Sequence, residues 1–501
     1  LNSIFLKNYI LGETGVNATG SVAEENLMLE GESKSKFKIS RLNSVLVLLP
    51  FILAYMVWRW FPVLSDFIIR RILNYTPNLQ PTHWLWHAAL GFFYTWYTFL
   101  SIGIGGAFLI ASWIWNRRKK PVKKRVSPAV SFIVPAYNEE KSISRCIASL
   151  FECAAKYPGY SEIIVVDDGS TDNTRLVAEA TIKMNWEKWP YIKAKVIRHK
   201  ANLGKAKAVK TGVDKSFGKL IALVDADTWW EQDAIRHLVD TLTMEDLDAV
   251  SGFIHPSDGN GDKNLFVLLQ QLEYSQGLGI FRCAQSLVKG VIVLPGPISL
   301  YRAEVLKAIL KEAEPKSITE DLEITLEMHR RKHRVGYAGS ARSTTIAPHK
   351  LKQFWSQRKR WFLGGLHNFL SIHRRLLFSK RWIALFLWYG IIAGYGGAII
   401  ELAATLSMPL FFYYAPDRLY FVYNMAIYFP LAFFVGIVQQ SVALKFAYGN
   451  HNHQNLLLYT PLYFLLRFIN MVARSVCLFQ FMMGKRNCHW RDGKLSISNK
   501  Q

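Results

Sequence analysis

Four short polar signatures follow one another along this chain, each made of groups that handle cations, phosphates or protons. They are Asp167-Asp168-Gly169, Asp225-Ala226-Asp227, Thr319-Glu320-Asp321 and Gln357-Arg358-Lys359-Arg360-Trp361. Moving a sugar from a nucleoside diphosphate needs a cation against the leaving diphosphate, a base for the acceptor's proton, and a surface that aligns the acceptor with C1. Asp225 and Asp227 offer two carboxylates for Mg²⁺ or Mn²⁺, which would also bond diphosphate oxygens. An oxygen-only ligand set argues against zinc. Asp321 opens a helical run, so the helix N-terminus should lower its pKa and keep it ionised as a base. Arg360 and Trp361 lie three and four residues beyond Gln357, on neighbouring faces of a helix. Arginine forks onto phosphate, and an indole is a flat surface for the apolar face of a sugar. Asp167 or Asp168 can accept from a nucleobase or ribose, and Lys205, after the turn at Gly204, can reach a phosphate or base.

Each signature also has a plainer reading. An isolated D-A-D serves equally well as a loop with helix-capping aspartates. Ser170 or Asp172 makes a good N-cap, and Thr319-Glu320-Asp321 can be a helix cap. Gln357–Trp361 can belong to an amphipathic helix anchored at a membrane interface. The order of the set and its setting raise it above these.

That setting is an alternation of short apolar runs with helical stretches from Ala129 to about Pro348. Val130–Pro135, Glu162–Val166, Ala194–Ile197 and Leu220–Val224 read as strands. Helices are expected near Glu139–Ala155, Asn173–Met184, Lys205–Lys215 and Gln232–Leu242. Such alternation with nearly continuous apolar strands predicts a parallel sheet covered on both faces. Ligands of such sheets bind beyond the carboxyl ends of the strands, where Asp167-Asp168 and Asp225-x-Asp227 fall.

The apolar residues concentrate before Arg117 and after Trp382. Leu42–Phe61 and His87–Trp115 are each long enough to cross about 30 Å of hydrocarbon at about 1.5 Å per residue, as are Ile383–Phe412 and Phe421–Phe446. Basic residues before the first run and after the second set the tail and everything past Trp115 in the cytosol. Leu456–Met483 carries Pro461, Arg467 and Arg474 and is expected to lie in the interface with its arginines snorkelling. Glu401 falls inside a span, where a carboxylate needs a polar partner on another helix or borders a polar passage.

The formal charge of +24 in 501 residues sits largely beside these apolar segments, which fits an anionic membrane surface. No recognisable nucleic-acid motif accompanies it. Five cysteines without a C-x-x-C pair exclude a disulfide framework or zinc cluster.

From about Ser127 onward the chain resembles the inverting, processive family-2 membrane glycosyltransferases, the hyaluronan, chitin, cellulose and poly-N-acetylglucosamine synthases. The resemblance rests on the four signatures together with Pro135-Ala136-Tyr137-Asn138-Glu139-Glu140 and Pro295-Gly296-Pro297-Ile298-Ser299-Leu300-Tyr301-Arg302. It implies an α/β, GT-A-type (Rossmann-like) cytosolic domain embedded between transmembrane helices, with amphipathic interface helices. It implies donor contacts at Asp167, Asp168, Lys205, Asp225, Gln357 and Arg360, and a metal on Asp225 and Asp227. Asp321 would be the base, and Trp361, Gly296, Pro297 and Glu320 would meet the acceptor. Trp490-Arg491 resembles the gating loop of hyaluronan-type enzymes, whereas Thr319-Glu320-Asp321 is closer to poly-N-acetylglucosamine and cellulose synthases than to the G-D-D of hyaluronan synthases.

The expected layout is a mobile cytosolic tail (1–40), two spans (41–116), the transferase domain (126–350), interface helices (351–382), two spans (383–447), and an interface helix with the gating segment (456–501). The partners implied are a UDP-sugar donor, a polysaccharide or lipid-linked acceptor and the bilayer of the cell membrane, with a homo-oligomer or accessory subunit left open. The alternatives are a single-sugar transferase acting on a lipid or glycolipid, and a scaffold with an inactive domain. Lipid-phosphate sugar synthases generally lack Q-x-x-R-W, and intact carboxylates speak against an inactive domain.

Overall fold

The computed structural model describes residues 41–77, 84–118, 125–449, 454–484, 487–491 and 494–498. The tail expected over 1–40 lies outside the described residues. The chain divides into a segment up to Val45 and a main body from Leu46.

Helix α1 (Arg41–Phe67) carries Pro50 and Pro62, and α2 (Trp84–Thr98) runs through a wide turn at Phe99–Ile104 into α3 (Gly105–Arg117). The alternating region follows: β1 (Val130–Ala136), α4 (Ile143–Lys156), β2 (Ser161–Asp167), α5 (Thr174–Lys188), β3 (Lys193–Arg198), α6 (Lys205–Asp214) and β4 (Leu220–Leu223). Every residue of β1, β2 and β4 is buried, as their unbroken apolar runs require. Next come β5 (Thr228–Trp230), α7 (Ala234–Met244), β6 (Ala249–Ser257), α8 (Leu265–Gln276), a wide turn at Gly277–Arg282, and α9 (Cys283–Leu287). Then β7 (Ser299–Arg302), α10 (Ala303–Glu312), α11 (Glu320–Arg330), β8 (Val335–Ile346) and α12 (Leu351–His367) complete the region.

The eight strands are ordered β3-β2-β1-β4-β7-β6-β8-β5. The first four pair in parallel, but the wholly parallel sheet expected from the alternation is corrected. Strand β7 runs antiparallel to both β4 and β6, and β5 antiparallel to β8. The helical excursion through α8 and α9 leaves and rejoins the sheet at the same end, so β7 enters between β4 and β6 where both strands leave. Leu223, the last residue of β4, pairs with Ser299, the first of β7. The loop before β7 therefore meets the loop after β4.

Beyond α12 the chain forms a wide turn at Asn368–Ile372, α13 (Trp382–Tyr389), another at Gly390–Gly396, α14 (Gly397–Tyr413) and α15 (Arg418–Tyr448). A 3₁₀ stretch (Gln454–Leu462) leads into α16 (Tyr463–Met482). Among the described residues, five helical stretches are long and apolar enough to cross a membrane: Leu46–Ile72, Ala88–Arg117, Trp382–Tyr413, Arg418–Tyr448 and Asn455–Met482. The last is the segment expected in the interface, and it too meets the length and hydropathy of a span. Helix α16 packs on α12 and α14. Arg467 does not stand alone there, since its Nη2 lies 3.3 Å from Glu401 Oε2. Strands β9 (Asn487–Arg491) and β10 (Lys494–Ser498) pair antiparallel in the segment expected to gate. Trp490 and Arg491 belong to β9, and their side chains lie outside the described residues.

One apolar cluster ties these parts together. Leu322 and Leu326 of α11, Leu363 and Leu366 of α12, Ile383 and Leu387 of α13, and Cys477 and Phe481 of α16 are all buried in it. Burial of this kind stabilises by about 25 cal/mol per Å² of apolar surface, and here it holds the helix of Asp321 against the helix of Trp361.

Candidate active site

The exit of β4, the entry to β7, the start of α6 and the start of α11 converge on one cavity. Its lining includes Pro135, Lys205, Asp225, Gly296, Glu320 and Asp321. Lys205 bridges the cluster, its Nζ lying 2.7 Å from Asp225 Oδ1 and 2.9 Å from Glu320 Oε1. Burial opposes the ammonium charge, but Asp225, Glu320 and Asp321 outweigh it and raise the Lys205 pKa above its ordinary value. For Glu320, burial would raise the carboxyl, yet Lys205 and then Arg360 hold it below the usual range. The charge of the Gln357–Trp361 segment thus reaches the cavity through Arg360.

Asp321 departs from its sequence expectation. Burial first, and then the neighbouring Glu320, push its pKa up to about 6. The helix N-terminus that should have lowered it is outweighed by desolvation of the same group. The consequence favours catalysis, since a base works best with a pKa near the working pH. At pH 7 the carboxylate is still mostly ionised.

Asp227 is pushed up to about 7 by burial, then by Asp225 and Glu139. Its Oδ1 accepts from Thr228 Oγ1 at 3.2 Å and Thr345 Oγ1 at 3.3 Å. Among the described residues no three His, Cys, Asp or Glu side chains gather as a ready metal cage. Two half-buried carboxylates whose repulsion raises a pKa nevertheless fit an oxygen-seeking divalent ion. Mg²⁺ in particular is commonly held by one or two carboxylates plus substrate phosphates.

Asp167, the last residue of β2, and Asp168 after it are buried and are not among the residues lining this cavity. Asp168 organises the chain leading to Lys205. Its Oδ1 accepts from Leu203 N at 3.0 Å and faces His199 Nδ1 at 2.7 Å, and its Oδ2 accepts from Gly204 N at 2.7 Å. Gly204 has φ +94°, which suits only glycine, and Lys205 follows as the first residue of α6. Asp167 Oδ1 accepts from Ser170 N at 3.0 Å, and its Oδ2 lies 3.4 Å from Arg198 Nε.

Gly296 is the other constrained glycine. A Cβ there would lie 2.6 Å from Asp225 Oδ1 and 2.9 Å from Lys205 Nζ, so the loop can approach the carboxylate only without a side chain. Pro297 O accepts from Trp230 Nε1 at 2.8 Å, and Leu294 N donates to Thr325 Oγ1 of α11 at 2.9 Å. These bonds fix the loop against both the sheet and the Asp321 helix.

Gln357, Arg360 and Trp361 lie on α12, all half-buried, and Gln357 Oε1 is buried without a partner. Nothing in the sequence signals what registers α12 against α11. Gly364 packs on Thr319, where a Cβ would fall 2.5 Å from Oγ1. Asn368 Nδ2 donates to Ser317 Oγ at 3.0 Å and Thr319 Oγ1 at 3.2 Å. Gly364→Ala is expected to force the helices apart at a cost of about 1–3 kcal/mol. It should lower transfer about 10–100-fold with secondary structure retained. Circular dichroism and a transfer assay on one preparation check this. Arg358, between Gln357 and Arg360, was also missed, as was Glu139 beside the aspartates. Arg358 carries no separate signal, whereas Glu139 lies in Pro135–Glu140.

Residues 131–310 match the model of the glycosyl transferase family 2. An N-acetylglucosaminyltransferase of Rhizobium meliloti (strain 1021) is 31% identical over 250 residues, covering 48% of this chain and 57% of that protein. A poly-beta-1,6-N-acetyl-D-glucosamine synthase of Staphylococcus epidermidis is 27% identical over 330 residues, 63% of this chain and 74% of that protein. This chain thus spans little more than half of the first relative's length. Among solved structures, a mannosyltransferase from Pyrobaculum calidifontis in complex with GDP-Man and Mn²⁺ is 19% identical. The match covers 78% of this chain and 98% of that one, with a TM-score of 0.48. The described residues thus combine a GT-A-like mixed sheet, matching glycosyl transferase family 2 over 131–310, with helices on both sides long and apolar enough to cross a membrane.

Proposed function

We propose that the chain is an inverting UDP-sugar-dependent glycosyltransferase that extends a polysaccharide, with transfer coupled to passage of the product across the membrane. N-acetylhexosamine is the favoured sugar, in line with the names of the relatives. The observation that carries this is the meeting of Asp225, Lys205, Gly296, Glu320 and Asp321 around one cavity. The acceptor hydroxyl gives its proton to the Asp321 carboxylate as its oxygen bonds to C1 from the face opposite the leaving group. The C1–O bond to the diphosphate breaks, and UDP leaves with that electron pair. Lys205, held by Asp225 and Glu320, supplies positive charge at the cavity, and Arg360 adds to it from α12. Asp225 and Asp227 would hold Mg²⁺ or Mn²⁺, which when bound neutralises charge on the diphosphate. Gln357 orients the donor, and Trp361 offers its ring to the acceptor.

The reading includes a multi-pass arrangement in the cell membrane with the catalytic domain in the cytosol, following the distribution of basic residues. It keeps the expected domain limits, with 351–382 along the interface, and the donor contacts of Asp167 and Asp168. Product sizing tests it. Membranes holding the chain, given labelled UDP-GlcNAc, UDP-Glc or UDP-GlcA, should yield a polymer. A single-sugar lipid would favour the non-processive alternative, and no product with any donor would overturn the assignment.

Glu401 offers a test of the passage. Its pairing with Arg467 supports the polar-partner reading of a carboxylate among apolar helices. Glu401→Leu alone is expected to lower the yield of folded protein, because Arg467 loses its counter-charge. The double variant Glu401→Leu/Arg467→Leu should restore the yield and give polymer of normal length. A well-folded double variant with short product would instead make the pair part of the exit path.

A further inference from the structure

The Gln357–Trp361 segment contains a second arginine. Arg358 is 4% exposed and lies within α12. Its guanidinium carbon sits 4.4 Å from the centroid of the Trp361 ring and 4.5 Å from that of Phe354. The same guanidinium reaches out of α12, with Nη2 donating to Glu273 Oε2 of α8 at 2.5 Å. Glu273 does not swing freely, because its Oε1 accepts from Asn470 Nδ2 of α16 at 2.9 Å. Asn470 is itself buried. Three helices far apart in sequence are therefore joined through one planar cation lying against one indole.

We infer that Arg358, tethered by Glu273 and Asn470, is a positioning residue that sets the ring plane of Trp361 for the incoming saccharide. The inference rests on the glycosyltransferase reading above. A guanidinium on a ring face is attracted by the ring quadrupole, more strongly when both are withdrawn from water. Its planarity and fixed fork let it stack and pair at once, which an ammonium cannot do. Trp361 lies in the middle of a helix, and a half-buried indole on two rotatable bonds would sample several rotamers. Stacking from below selects one and leaves the opposite face for the apolar side of a sugar. Phe354, one turn before Arg358, is a second ring in contact with the guanidinium and further limits its movement. Neither Arg358 nor Glu273 lines the cavity of Asp321 and Lys205, so the pair acts through Trp361 and not on the reacting atoms. Anchoring through Asn470 also ties the orientation of the indole to α16, an element outside the transferase domain.

The test separates positioning from mere support of the fold. Arg358→Lys keeps a cation within reach of Glu273 but has no plane to lay on the indole. Purified full-length chain in lipid nanodiscs is assayed with each UDP-hexose and the matching short oligosaccharide. Arg358→Lys is expected to raise the oligosaccharide KM about tenfold. Donor KM and kcat at saturating oligosaccharide should stay within about twofold of the parent. Glu273→Gln, which keeps shape and hydrogen bonding but removes the charge of the tether, should shift the same KM in the same direction by less. Thermal melting read alongside guards against a folding defect. If both variants melt like the parent and bind oligosaccharide like the parent, the proposal is overturned. It is equally overturned if donor and acceptor KM rise together. A parent chain that releases UDP from no UDP-hexose would overturn the transferase reading, and the proposal with it, which is distinct from an active parent with unaltered variants.

Discussion

Asp321→Asn is expected to lower sugar transfer by about 10²–10⁴, the usual loss on removing a general base, while nucleotide binding stays near the parent value. The amide keeps the size of the carboxylate and its bond from Leu322 N, which Asp321 Oδ1 accepts at 2.8 Å, so the start of α11 should not move. What is lost is the group that takes the acceptor proton. The parent should also show an acid limb in kcat/KM, which reports groups of the free enzyme. With the pKa pushed up to about 6, the basic form dominates above that pH and is lost below it. Activity should then fall about tenfold per pH unit on the acid side. Rate measured from pH 5 to 8, beside nucleotide binding by titration calorimetry, decides the matter. Near-parent turnover by the asparagine variant, or a flat profile through pH 6, would remove Asp321 from the role.

Asp227→Ala is expected to abolish activity to a similar extent, and chelation of the parent by EDTA should reproduce the loss. Two carboxylates at the end of β4 supply too few ligands alone, so cation and nucleotide should bind with mutual dependence. Because Asp227 is raised to about 7, a divalent ion must displace a proton there. Its apparent affinity should rise as pH increases from 6 to 8. Isothermal titration of Mn²⁺ with and without UDP, at both pH values, checks this. Full activity in chelator would reduce the Asp225–Asp227 turn to a structural loop.

The buried strands were readable because burial on two faces leaves its mark on every residue. Val130–Pro135 and Glu162–Val166 admit little else, and Asp225 and Asp227 then fall at a strand end. The antiparallel entry of β7 was not readable. Nothing in Ser299–Arg302 records direction, which depends on the route of the chain through α8 and α9. The pKa of Asp321 departs from the expectation for a related reason. A helix start is visible in Thr319-Glu320-Asp321, whereas desolvation depends on α12 and on the loop at Gly296, both distant in sequence. Arg358 had no signal of its own, because a lysine or arginine inside an amphipathic stretch ordinarily faces solvent. Only Glu273 and Asn470, brought from 85 and 112 positions away, turn it inward. The polar partner foreseen for Glu401 could not be named for the same reason, since Arg467 lies 66 residues along the chain.

The wide turns carry a consequence for how this chain tolerates change. At Phe99–Ile104 and Gly390–Gly396 the helical ladder takes in an extra residue, and each residue advances a helix by about 100°. Everything downstream is rotated relative to a regular helix, including Glu401, whose meeting with Arg467 depends on that rotation. Exchanging one apolar side chain for another in 390–396 leaves the rotation intact. Losing a single residue there lets the ladder close to regular pitch, and the two changes offset, so Glu401 keeps facing Arg467. Losing one from the regular turns of α14 before Glu401 would instead swing it by about 100°, with hydropathy almost unchanged. Single-residue insertions and deletions should therefore be far more damaging in the regular turns of these helices than inside the wide turns, which take up the change locally.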